Sequence, residues 1–192
     1  MRRKRLGLVA LSAVLLGCAA VLAAERPWAG PADPEAATLP ASCPALAGQP
    51  PARYGVPAAF TAPAGPGSTI RGGLCEWGEP DHGSAPLQAK YRLYPRAGRQ
   101  SGTEEAEHGA AALVTRNQGP GRGGTLGADT PLPGLGDEAR ISAHDILVVL
   151  VTRKANVVLT LQYRVPDDEP RQLSETRAES CARTLLDQIR TA

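Results

Sequence analysis

Two apolar runs dominate the C-terminal half of the chain. Ile146 to Arg153 (ILVVLVTR) and Asn156 to Val165 (NVVLTLQYRV) are rich in β-branched residues, and Lys154-Ala155 stands between them. They predict a β-hairpin, with Val157, Leu159, Leu161 and Tyr163 on one face. Leu87 to Tyr94 alternates cleanly, Leu87, Ala89, Tyr91 and Leu93 against Gln88, Lys90, Arg92 and Tyr94. That pattern predicts a half-buried strand. Ile70 to Trp77 predicts another, with a bulge at Gly72-Gly73, and Ala139 to Ser142 a short one. Thr103 to Asn117 carries helix signals: Thr103 as cap and Glu104 and Glu105 in the first turn, where the helix dipole favours them. A closing helix is expected from about Pro170 to Arg190. Leu173, Cys181, Leu185 and Ile189 fall near one stripe, with Arg177 at the same spacing. Ser42-Cys43-Pro44-Ala45-Leu46 reads as the start of a short helix capped by Ser42. Residues 50–68, 119–127 and 131–136 are rich in Pro or Gly and read as loops or turns.

Strands joined by hairpins, with helices interposed, predict an α+β fold. The expected architecture is a single domain, a twisted antiparallel sheet with helices packed on one face, preceded by an N-terminal hydrophobic helix. No internal repeat is visible.

That first helix comes from the N-terminus. Met1-Arg2-Arg3-Lys4-Arg5 precedes 19 uncharged residues, Leu6 to Ala24. A basic head before an apolar run is an export signal. Three fates stay open. The run is long enough to remain as a single-pass anchor, with the basic residues inside and Trp28 at the outer interface. Leu15-Leu16-Gly17-Cys18 has the layout of a lipobox, with Cys18 as the lipidated residue. Cleavage after Ala23 or Ala24 would release a soluble protein. All three export the remainder. Residues 25–41 (ERPWAGPADPEAATLPA) then read as a Pro/Ala-rich linker and residues 42–192 as the exported domain.

Charge changes the picture once the leader is set aside. The whole chain has 21 basic and 19 acidic residues, a formal net charge of +2. Residues 1–24 hold four of the basic residues and no acidic one, so residues 25–192 carry −2. Nothing there steers the domain to nucleic acid. Hydrophobic residues are 42% of the chain but aromatics only 4%, so the core is expected to be aliphatic.

The exported part has three cysteines, Cys43, Cys75 and Cys181. An oxidising compartment allows one bridge and one residue left over. A Cys43–Cys75 bridge would close a loop dominated by Pro and Gly and add about 3–4 kcal/mol. Cys181, on the apolar side of the last helix, reads as a small buried hydrophobe; pairing with Cys43 or a reactive thiol are the alternatives. The cysteines lack metal-ligand spacing to one another or to histidine.

A pattern emerges from these pieces. A leader, a Pro-rich spacer, a Cys before a short apolar stretch, Cys75-Glu76-Trp77 on a strand, Gly134-Leu135-Gly136-Asp137-Glu138-Ala139, a Val-rich hairpin and an Ala-rich final helix follow one another. The chain resembles, over about Ser42 to Arg190, an actinobacterial family of small exported domains of unknown function found on lipoproteins and membrane-anchored proteins. Its layout is also similar to the extracellular sensor domains of actinobacterial serine/threonine kinases. The resemblance adds weight to the Cys43–Cys75 bridge and implies no catalytic residue. The Pro-rich segment after Cys43 and the additional Cys181 depart from the family pattern.

Candidate chemistry is sparse. There is no Gly-x-Ser-x-Gly elbow. Asp81-His82 and His144-Asp145 are sequence neighbours that would not face each other productively on a strand, and His108 lies on a Glu-rich helix. Gly119 to Gly124 matches G-x-G-x-x-G without the strand and helix that a nucleotide site needs. Asp167-Asp168-Glu169 is better suited to capping the last helix than to calcium. Trp77 is a core residue or a platform for ligand stacking. No cofactor, metal or catalytic residue is expected. The leading expectation is an anchored or lipidated extracytoplasmic protein, sensor-like, that binds an envelope ligand or protein partner. The alternatives are an anchored or secreted hydrolase using His144, Asp145 and Cys181, and a structural subunit of envelope assembly.

Overall fold

The Val-rich hairpin lies at the heart of a sheet, in a computed structural model that describes residues 34–49, 60–65, 68–78, 87–96, 98–117 and 129–191. The strands are β1 (Phe60–Gly65), β2 (Ser68–Trp77), β3 (Leu87–Leu93), β4 (Thr130–Pro131), β5 (Glu138–Ala143), β6 (Leu147–Lys154) and β7 (Val157–Arg164). They form one sheet in the order β1-β2-β3-β7-β6-β5-β4, and every neighbouring pair is antiparallel. Helix α1 (Gly102–Asn117) falls between β3 and β4, and helix α2 (Arg171–Asp187) follows β7. The α+β expectation holds, and residues 34–192 form one unit.

The helices do not share a face. Leu87, Ala89, Tyr91 and Leu93 of β3, Leu159 and Leu161 of β7 and Leu150 of β6 pack with Ala178, Cys181, Ala182, Leu185 and Ile189 of α2. On the opposite face, Val151 and Val158 pack with Ala106 and Ala110 of α1 and with Tyr94. The expectation of helices on one face is therefore corrected. Val148 to Thr152 and Val157 to Leu161 are buried without a break, as in strands covered on both sides. Alternation along β3 reported one buried face, whereas the continuous apolar runs of β6 and β7 carried the sign of two.

Several local expectations shift. The β6–β7 turn is Ala155-Asn156, one residue later than expected, with Ala155 in the left-handed region at φ 52°. That conformation costs a non-glycine residue about 1–2 kcal/mol. It is held by Asp137, whose carboxylate accepts the Ala155 N–H at 2.6 Å and pairs with Arg153 at 3.0 Å. Helix α1 is capped by Ser101 rather than Thr103. The Glu104 N–H donates to Ser101 Oγ, and the Ser101 N–H donates to the Glu104 carboxylate, a capping box. Residues 60–65, expected as loop, form β1, and the irregular register lies between Pro63 and Gly65 rather than at Gly72-Gly73. Leu173 is exposed; Ser174 and Ala178 take the buried stripe of α2 in its place.

Residues 34–46 lie against the domain instead of forming a free spacer and a short helix. Ala36 and Leu46 are buried in the main core, with Leu39 packed on it. Glu35 accepts the N–H of Gly102 at the start of α1, and Arg71 donates to the Ala37 carbonyl. Residues 42–46 are not helical, and a turn follows at Ala47-Gly48. The leader 1–24 with Cys18, residues 25–33, His82 and Gly119–Gly124 lie outside the described residues. Among the described residues, no helix is long and apolar enough to cross a membrane.

Candidate functional site

Cys43 and Cys75 form a disulfide across 32 residues. It ties the N-terminal strap to β2. The neighbouring Trp77 is 0% exposed, and its indole N–H donates to the Pro44 carbonyl at 3.1 Å. Ligand stacking on Trp77 is therefore corrected: the ring is a wall of the core, with its polar handle used by the strap.

The motif Gly134 to Ala139 is also structural. Leu135 plugs the core, and Thr152 Oγ1 donates to its carbonyl at 3.1 Å. Gly136 has φ 66°, and a Cβ there would overlap the Arg153 carbonyl, so the turn needs glycine.

His144, Asp145 and Cys181 are not joined by any hydrogen bond or ion pair among the described residues. His144 uses its backbone N–H to close the β5–β6 turn on Leu147, and Asp145 is exposed. Cys181 is a free, buried cysteine; burial pushes its thiol pKa up, and Arg177 offsets this in part. His108 lies exposed on α1. Of the acidic triplet, Asp167 and Asp168 are exposed. Glu169 is engaged: Tyr163 donates to it at 3.2 Å, Ser174 at 2.7 Å, and Arg177 pairs with it. No side chain caps α2 at Pro170, so the expected capping is replaced by this latch inside the first turns. Among the described residues, no group of three His, Cys, Asp or Glu side chains could hold a metal ion.

What the described surface does offer is a cleft of about 450 Å³ beside α2. Its floor is apolar, made by Leu132, Ile141 and Ala143, and Thr130 stands on the sheet side. Gln172, Glu175, Thr176 and Glu179 of α2 form the opposite wall, with Arg171 at one end. These helix positions recur every three to four residues and so share one side of the helix. The cleft lies beside β4, which is only two residues long and carries Pro131, whose nitrogen has no hydrogen to donate to a further strand. The wall charges are matched, since Arg171 pairs with Glu175 and Arg183 with Glu179, each at 2.9 Å. The Thr176 hydroxyl donates to the Gln172 carbonyl. The arrangement can hold a molecule through an apolar floor and hydrogen-bonding walls, at a volume typical of small-molecule sites. The polar stripe of α2 has the pattern of any solvated helix face, so nothing in the sequence singles these residues out.

No family model, curated protein or solved structure matches this chain.

Proposed function

We propose that this chain is an extracytoplasmic binding protein of sensor type, held at the membrane by its N-terminal segment or by lipid on Cys18. It takes a small envelope ligand in the cleft between α2 and the β4–β5 edge and performs no catalysis on it. The observation that carries this reading is the cleft itself, with its apolar floor and its charge-matched polar wall on α2. The basic head and apolar run at the N-terminus support export, and the disulfide suits an oxidising compartment.

Native mass spectrometry after incubation with the low-molecular-weight fraction of the cell envelope tests the binding role. A bound species is expected, and Thr176→Trp, which fills the cleft from an exposed helix position, should abolish it. No bound species, or one retained by Thr176→Trp, would refute the cleft as a ligand site. Intact mass from the membrane fraction tests the anchoring. A full-length chain or an acylated chain beginning at Cys18 is expected; a chain beginning near Glu25 would make the protein a freely released one.

A further inference from the structure

The face of the sheet that carries α1 is polar beside the helix. Helix α1 packs over β6 and β7. Beside it, the register places Glu76, Gln88 and Gln162 on one rung of that face. Leu74, Lys90 and Thr160 form the next rung, followed by Gly72, Arg92 and Val158.

Two cations share that face, and a third stands on α1 near one of them. Lys90 and Arg92 are two residues apart on β3 and share the face, both half-buried. Arg92 donates to Thr160 Oγ1 at 3.3 Å. Gly109 of α1 rests on the Tyr94 hydroxyl so closely that a Cβ would overlap it. Arg116 lies two turns further along, on the same side of the helix. It is near enough to Arg92 and Tyr94 to act on both electrostatically.

Most acids on this face are already engaged, and the remaining one near the cations, Glu105 in the first turn of α1, acts on Tyr94 from the opposite end of the helix to Arg116. Asp129 pairs with Arg140 and Asp137 with Arg153, while the Glu76 carboxylate accepts the Gln88 amide. Lys90 and Arg116 make no ion pair among the described residues. Next to Arg116, the Asn117 side-chain nitrogen is shielded from solvent and has no acceptor among the described residues. Half-burying like charges side by side is unfavourable, and Arg92 feels both the burial and Arg116. An oxyanion would reverse that sign, and guanidinium forks match its geometry.

We infer that the sheet face beside α1, on strands β2–β3, binds an oxyanion of the phosphate class, gripped by Lys90, Arg92 and Arg116, with Asn117 as a further donor. The site lies on the opposite face of the sheet from the α2 cleft and does not depend on the function assigned to that cleft.

The test is a titration of the full chain with inorganic phosphate at constant ionic strength, followed by backbone amide shifts. Saturable shifts at residues 88–92 and 116–117 are expected. Arg116→Gln and Lys90→Gln should each weaken binding about tenfold, while Arg99→Gln, in an exposed turn, should not. Vesicles containing phosphatidylglycerol separate the sources of the phosphate. Binding to them that inorganic phosphate competes away would identify a lipid headgroup at this same site. Indifference to them, with saturable phosphate binding, would identify a soluble phosphate compound. No saturable shift, equal weakening by Arg99→Gln, or a folded Arg116→Gln variant of unchanged affinity would overturn the inference, leaving Arg116 as a charge that answers the dipole of α1.

Discussion

The side chain of Asn156 and the backbone of Ala36, 120 residues apart, bind each other in both directions. The Ala36 N–H donates to Asn156 Oδ1 at 2.7 Å, and Asn156 Nδ2 donates to the Ala36 carbonyl at 3.1 Å. The same Nδ2 reaches the Tyr94 carbonyl at 3.0 Å. One side chain in a hairpin turn thus holds the N-terminal strap, the end of β3 and the approach to α1. Asn156→Ala would leave buried backbone groups without partners, each costing about 1–3 kcal/mol. The expected loss is about 2–4 kcal/mol in urea unfolding, with faster hydrogen exchange around Ala36. A loss below about 0.5 kcal/mol, typical of an ordinary surface change, would show that water replaces the side chain there.

The Cys43–Cys75 bridge should be a second fastener of the same strap. Its 32-residue separation corresponds to about 3–4 kcal/mol in the loop-entropy treatment. Replacing both cysteines by alanine should lower the unfolding free energy by that amount while leaving the far-ultraviolet circular dichroism unchanged. An unchanged denaturation midpoint would show that the other strap contacts restrain the chain equally well without it.

Tyr91 is 2% exposed, and its buried hydroxyl has no hydrogen-bond partner among the described residues. Burial raises the pKa of this phenol, and of Tyr94 and Tyr163, above its ordinary value. The folded chain therefore keeps protons that the unfolded chain releases above about pH 10, so the linked stability is complete below that pH and declines above it. Tyr91→Phe should raise stability at neutral pH by about 1 kcal/mol and soften the alkaline decline in Tm. A destabilised Tyr91→Phe would mean that the hydroxyl makes a bond of real value.

Cys181 should resist chemistry in the folded protein. It is 8% exposed, and burial disfavours its thiolate, the reactive form. Iodoacetamide at neutral pH is expected to leave it unmodified until denaturant is added. Rapid modification of the native chain would restore it as the nucleophile of the hydrolase alternative.

Much of this protein is legible in its sequence, because periodicity reports locally which residues avoid water. The β6–β7 hairpin, the alternating β3 and the two helices all follow from neighbours within a few residues. The capping box Ser101-x-x-Glu104 was equally local and simply outcompeted Thr103. Tertiary structure alone decided that the helices take opposite faces, since that depends on β3 and β7 becoming neighbours across a long crossover. It decided that Trp77 faces the strap and not solvent, and that Asn156 meets Ala36. The cleft came from a mismatch of lengths, a two-residue β4 ending beside a 17-residue α2. Local pattern sets which residues must be covered, and only the packed chain determines what covers them and where a gap remains.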